Sequence, residues 1–267
     1  MTAFAEGVPC WMDVTLPDVR AGRRFYGELF GWTFDEPADK TYGYYTQAYV
    51  GEGADRKNVA ALAPKPDGRM PTAWGIYFAT PDAAALVARA REAGGQIVMD
   101  AMPVGPFGTM ALIADPGGAV FGVWQAGTHP GFEQTAAPGS FCWTEAHVRE
   151  ADKERVDRFY EQVFGFASKD LSEEAGVDFR IWSPAGTEPG DDTAIGGRSV
   201  LSDALPAEMP AHFLSYFVVE DCDGAAETAR RLGGRITQPP FDTPYGRMAV
   251  LMDNQGAVFA VLAEPEA

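Results

Sequence analysis

Seventeen residues near the middle of this chain are written a second time near its end. GTMALIADPGGAVFGVW over residues 108–124 lies on GRMAVLMDNQGAVFAVL over residues 246–262, with nine of seventeen positions identical. A second phrase behaves alike. FYGELFGW at 25–32 returns as FYEQVFGF at 159–166, 134 residues on. Both offsets are about half of the 267 residues, so the chain is two related halves. Each phrase has a physical reading. Phe25, Tyr26, Leu29 and Phe30 make the apolar stripe of a helix. Gly31 ends that helix, because glycine enters the left-handed region without penalty. Trp32 then opens a strand. In the longer phrase two alternating runs flank the turn from Asp115 to Gly118, which is a hairpin.

The rest of the chain fits around these phrases. Cys10, Met12, Val14 and Leu16 alternate with Trp11, Asp13 and Thr15, as in a strand with one apolar face. A helix capped by Asp18 runs to Phe30, followed by strands at 32–34, 43–50 and 58–63. After the Pro- and Gly-rich joint 64–71 the order starts again: strand 74–79, helix 83–93 behind Asp82, strand 96–100 and the hairpin. Residues 127–139 lack periodicity and read as a linker. The second half then follows suit, with a helix at about 151–164, strands near 179–183 and 194–199, a linker with Pro206 and Pro210, strand 212–219 and helix 224–232. The expected fold is α+β: four βαβββ units, at about 8–63, 72–126, 140–200 and 211–263. They pair into domains 1–126 and 140–267 around the linker 127–139.

A net charge of −17 argues against nucleic acid or an anionic membrane as partner. No apolar run approaches the length of a membrane span. Cys10, Cys142 and Cys222 make no disulfide framework and suit a reducing, cytoplasmic setting. The residues before Asp13 include Glu6 and Pro9 and carry no apolar signal-peptide core. The expected partner is a small molecule, bound by a monomer or homodimer.

A βαβββ unit with FY…LFGW after its helix and a closing DPGG…F hairpin resembles the vicinal oxygen chelate superfamily. That group holds glyoxalase I, bleomycin-resistance proteins, fosfomycin-resistance enzymes and extradiol dioxygenases. The opening PCWMDV on a tandem chain is similar to the actinobacterial subfamily labelled glyoxalase-like or "hydroxylase". The resemblance implies curved sheets that form cups, helices on the convex side and ligand or metal on the concave side. Trp11, Asp13 and Thr15, and Trp143, Glu145 and His147, are then expected to face the cups. Family spacing would place metal ligands at Trp11, Ala60 or Ala61, Gly75 and Gly122 in the first half. In the second it gives Glu145 or Trp143, Gly196, Leu214 and Ala260. Few of these are donors, so no metal and no cofactor is expected. A three-ligand site from Glu145, His147 and His212, with a metal-dependent glyoxalase-like lyase, isomerase or dioxygenase activity, is the alternative. His129, in the linker, is expected to face solvent.

Without metal ligands, Gly75 and Gly122 would open the floor of the first cup. Trp11, Trp74, Tyr42, Tyr44 and Tyr45 would wall it, an aromatic pocket of small-molecule type. Strand aromatics also serve as core. The expected ligand-binding residues are Trp11, Asp13, Trp74, Trp143 and His212. Glu145 with His147 is the candidate acid–base pair, since a carboxylate on an aromatic wall can act as acid or base. The function this implies is metal-independent binding or modification of a small molecule in an aromatic cup. Whether catalysis occurs stays open. No dinucleotide fingerprint, Walker loop, Gly-x-Ser-x-Gly elbow or HExxH is present.

Overall fold

The structure is a computed structural model, and it describes residues 4–202 and 209–265; Pro206 lies outside them. The first half runs β1 (Pro9–Leu16), α1 (Val19–Phe30), β2 (Thr33–Phe34), β3 (Thr46–Val50), β4 (Lys57–Pro64), β5 (Trp74–Ala79), α2 (Ala83–Glu92), β6 (Gln96–Val104), β7 (Gly108–Ala114) and β8 (Val120–Ala126). The second runs β9 (Phe141–Val148), α3 (Lys153–Phe164), β10 (Ala167–Asp170), α4 (Ser172–Ala175), β11 (Phe179–Ser183), β12 (Gly196–Val200), β13 (His212–Val218), α5 (Cys222–Arg231), β14 (Arg235–Thr243), β15 (Gly246–Met252) and β16 (Val258–Ala263). Each half contributes one eight-stranded sheet. The orders are β2-β3-β4-β1-β5-β8-β7-β6 and β10-β11-β12-β9-β13-β16-β15-β14.

Local chemistry sets most boundaries. Asp18 accepts the Ala21 N–H at 3.1 Å, and Asp82 accepts that of Ala85 at 3.0 Å. Gly31 and Gly165 close α1 and α3 with φ of 71° each, the left-handed cap that their repeated phrase requires. Helix α5 begins at Cys222 rather than 224, because Asp221 accepts the Gly224 N–H at 3.0 Å and so caps earlier. The strand expected from 43 begins at Thr46: a single tight turn at Lys40–Tyr42 precedes it, and Tyr44 has a φ of 58°. The short strand β10 and the extended strand β14 carry too few apolar residues to stand out in the sequence.

The chain divides into two compact units. One contains Met1–Trp11, Gly75–Gly131 and Thr144–Phe213, and the other Met12–Trp74, Phe132–Trp143 and Leu214–Ala267. Inside each, the two repeated phrases meet. In the first unit Tyr160 donates to Asp115 at 3.1 Å, and the Phe159 ring lies where a Cβ on Gly95 would sit, 2.7 Å from that position. In the second, Tyr26 donates to Asp253 at 2.8 Å, and the Phe25 ring is 3.1 Å from the Cβ position of Gly234. The FY phrase of one half is therefore seated on the turn and the helix-ending glycines of the other. All four rings are fully buried, each worth roughly 2 kcal/mol of apolar transfer. Burial pushes the Asp115 carboxyl up to about 6, against the opposing hydrogen bonds of the Ala119 N–H and the Tyr160 hydroxyl.

The second half replaces part of this apolar core with charge. Arg198 on β12 is buried and donates to Asp157 of α3 through two bonds of 3.1 Å, and to Asp178. Burial opposes its charge, but the two carboxylates outweigh that and hold the guanidinium above its ordinary value. Its register equivalent in the first half is Leu62, which pairs with Val14 as Arg198 pairs with Ala146.

Candidate functional site

The side chains that expectation placed on the helix-free faces separate into a packed set and a polar set. On the first sheet Met12, Val14 and Leu16 are fully buried, so Trp11, Asp13 and Thr15 take the opposite face of β1. Trp11 is only 3% exposed, and its ring meets His129 edge-on at 4.4 Å. The Trp124 indole, also close to His129 at 5.8 Å, donates to the His129 carbonyl at 2.8 Å. His129 is thus half-buried between two indoles rather than solvent-facing. Gly122 does not open a floor: a Cβ there would lie 2.1 Å from the Tyr77 ring, so glycine makes room for Tyr77. The first half's face in this unit is filled by Trp11, Tyr77, Trp124 and His129.

Two other expectations change. Trp74 lies on the core side, 5% exposed, stacked edge-on to Tyr26 and donating to its hydroxyl at 3.1 Å. It lines no cup, because alternation along β5 gives the helix-free face to Gly75 and Tyr77. Of the tyrosine group, Tyr45 donates to Asp13 at 2.8 Å, while Tyr44 is half exposed. Asp13 is therefore an acceptor already engaged by the tyrosine that precedes β3.

The second half's face is different. Thr144, Ala146 and Val148 are fully buried, so Trp143, Glu145 and His147 take the other face of β9. Glu145 Oε2 and His147 Nε2 are 3.2 Å apart, with side chains 14% and 20% exposed. His212, at the start of β13, brings its ring within 5.1 Å of His147, and its Nδ1 is 2.9 Å from the Pro210 carbonyl. Burial, and then the nearby His147, hold the His212 imidazole below its ordinary range. In the register, Gly197 pairs with Glu145 and Ser199 with His147, and the Phe179 ring lies over Gly197. Phe179 and Ser199 are parts of this surface that sequence reasoning missed; the alternation of β11 and β12 was the available signal. In the second unit, Trp143 packs with Leu214, Tyr216 and Ala260, an apolar wall.

Glu145, His147 and His212 are the residues of this face that carry donor atoms for a divalent ion. Of the positions that family spacing assigns to ligands, Trp11, Ala61, Gly75, Gly122, Gly196, Leu214 and Ala260 offer no side-chain oxygen, sulfur or imidazole, and Glu145 does. Glu145 is occupied by His147, and His212 Nδ1 by a carbonyl. Among the described residues no three His, Cys, Asp or Glu side chains are gathered so as to hold a metal. The thiols offer little chemistry: burial pushes Cys142 up to about 12 and Cys222 to about 11. A cavity of about 190 Å³ lies elsewhere, on the helix side between α3 and β10–β11, where Asp157, Glu161 and Arg180 surround Tyr160 and Trp182. Asp157 lies 3.7 Å from its guanidinium, Arg180. No helix among the described residues is long and apolar enough to cross a membrane.

Comparison with known proteins agrees with this architecture. The sequence profile of the Glyoxalase/Bleomycin resistance protein/Dioxygenase superfamily matches residues 11–123 and 146–261. The chain is 38% identical over 281 residues to anthracycline biosynthesis protein DauV of Streptomyces sp. (strain C5), covering 100% of this chain and 97% of that protein. It is 36% identical over 264 residues to the putative glyoxylase CFP32 of Mycobacterium bovis, covering 97% and 95%. Among solved structures, the 2,3-dioxygenase LapB from Pseudomonas sp. KL28 matches with a TM-score of 0.62 at 15% identity, covering 98% of this chain and 95% of that one. The Mn(II)-bound glyoxalase from Novosphingobium aromaticivorans matches at 0.63 and 16%, covering 98% and 84%. At such identities the structural likeness is one of fold. The profile match across both halves, with full-length relatives above 30% identity, means that this chain belongs to the Glyoxalase/Bleomycin resistance protein/Dioxygenase superfamily.

Proposed function

We propose that this protein binds, and through Glu145 and His147 modifies or polarises, a small organic molecule without a metal ion. The observation that carries this reading is the 3.2 Å Glu145–His147 pair beside His212, on a partly exposed face where the other family metal positions lack a donor. A carboxylate that accepts from an imidazole orients the ring and stabilises its charged form, which equips His147 as general base or acid. The relatives named for anthracycline biosynthesis support an aromatic ligand class.

Elemental analysis of protein purified without added metal tests the metal-free part. The expected result is no stoichiometric divalent ion; one ion per chain retained through dialysis contradicts it. For the pair itself, Glu145→Gln is expected to weaken binding or turnover of an aromatic ligand by roughly tenfold, the value of one charge-assisted hydrogen bond.

A further inference from the structure

Each half of the chain enters its first strand through a segment pinned in the same way. The Gly7 N–H donates to the Ala79 carbonyl at 2.9 Å, and the Gly139 N–H to the Val218 carbonyl at 2.9 Å. The Val8 and Ser140 carbonyls accept in return from Ala79 and Val218, at 2.9 and 3.0 Å. This register sets Glu6 against Pro138. The helix caps Asp82 and Asp221 likewise set Thr80 against Val219 and Arg89 against Thr228. In the first unit Glu6, Thr80 and Arg89 form a polar plug. The Arg89 guanidinium donates to Glu6 and, at 3.1 Å, to the Val163 carbonyl, while the Thr80 hydroxyl donates to Glu6 at 3.2 Å. That carbonyl belongs to the last turn of α3, where C=O groups have no partner within the helix. A cation there also meets the negative end of the helix dipole.

The second unit has none of the plug's three side chains. Pro138, Val219 and Thr228 stand in their places, and a groove of about 480 Å³ lies between α1 and α5. Leu29 and Phe30 line it and are partly exposed, whereas their counterparts Val163 and Phe164 are buried. Among the described residues, no side chain donates to the Leu29 carbonyl, the counterpart of the one that Arg89 holds. A carboxylate returns at the rim. Glu220, where the first half has Pro81, is exposed and has no ion-pair partner among the described residues. Asp221 beside it caps α5 by accepting from the Gly224 N–H. Apolar walls, a helix-end carbonyl and a carboxylate are thus assembled as they are around Arg89, with a threonine at the guanidinium's position.

We propose that this groove binds a small organic guanidinium on an apolar stem, which takes in the second unit the place that the Arg89 side chain takes in the first. The planar fork donates to the Leu29 carbonyl and to the Glu220 carboxylate, as Arg89 donates to Val163 and Glu6. The stem lies along Leu29, Phe30 and Val219. A volume of about 480 Å³ is that of a small-molecule site rather than of one side chain. The net charge of −17 favours a cation. The groove shares no residue with the Glu145–His147 face, so its ligand is distinct from the one proposed for that face.

Calorimetric titration of the full chain with 2-phenylethylguanidine and with 2-phenylethylurea, its uncharged isostere, is the test. The guanidine is expected to bind at one site per chain, and the urea about tenfold more weakly, the value of a charge-assisted hydrogen bond. Thr228→Arg supplies the plug from within and is expected to abolish binding of the guanidine. Glu220→Gln, at an exposed position that folding does not depend on, is expected to weaken it about tenfold and keeps the test open if Thr228→Arg fails to fold. A urea that binds as tightly as the guanidine overturns the guanidinium class. Binding unchanged in both variants overturns the groove as its place. No saturable binding of the guanidine up to its solubility limit overturns the proposal outright. So does binding of the peptide acetyl-Phe-Arg-amide alone, which would make the occupant a protein segment.

Discussion

The two halves share a fold, and in the first compact unit each presents part of its helix-free face. The first half's part is closed by its own rings: Trp11 and Trp124 both meet His129 edge-on, and Tyr77 occupies the space over Gly122. The second half's part carries Glu145, His147 and His212, half-buried and polar. What separates them is side-chain volume and charge at equivalent register positions, on sheets of the same strand order. Glu145 stands opposite Gly197 where Asp13 stands opposite Ala61, and Asp13 is tied to Tyr45. A duplicated fold here keeps one face as aromatic packing and leaves the other polar.

The largest expected effect tests the charged anchor that only the second half has. Arg198→Met leaves Asp157 and Asp178 without their buried partner and is expected to cost about 3 kcal/mol in urea unfolding, because breaking a buried pair strands charge. Leu62→Met at the equivalent position is expected to cost under about 1.5 kcal/mol, a volume-conserving swap. Next is the filled face. Gly122→Ala forces a Cβ into the Tyr77 ring and is expected to destabilise by about 2 kcal/mol. In the second half Ala260, paired with Tyr216, already carries that methyl, and Ala260→Gly is expected to cost about 0.5–1 kcal/mol. If the two substitutions prove equal, the faces are packed alike and the contrast fails.

The smallest effect is a pH dependence. Burial holds His212 below its ordinary 6.5 when folded, so the unfolded chain takes up the proton first as pH falls. The stability this contributes is complete above about pH 6.5 and is lost as pH drops from there toward the folded value. His212→Gln is expected to flatten that part of a stability–pH curve measured by denaturant midpoint. An unchanged slope would mean that His212 is as well solvated folded as unfolded.

Much of this was legible in the sequence, and the failures have one cause. The FY phrase, the helix-ending glycines and the Asp-led turns are local signals, and all form elements where expected. Strand alternation also placed Glu145 and His147 on one face. What could not be read was occupancy. Gly122 reads as open space until Tyr77 is seen over it, and Trp74 reads as a pocket wall until Tyr26 is seen beneath it. Nor does a linker histidine announce that two tryptophans will enclose it. These are contacts between residues far apart in the chain, and no single strand's pattern encodes them. The joining of Tyr26 to Asp253 and Tyr160 to Asp115 is of the same kind: the motifs were visible, their pairing across halves was not.

The measurement that tests the account most directly is calorimetric titration of chelator-dialysed protein with 2-naphthol. The account predicts one site per chain, lost in His147→Ala and unchanged in Trp11→Phe. Two equivalent sites, binding that appears only when a divalent metal is added, or full binding by His147→Ala would contradict it.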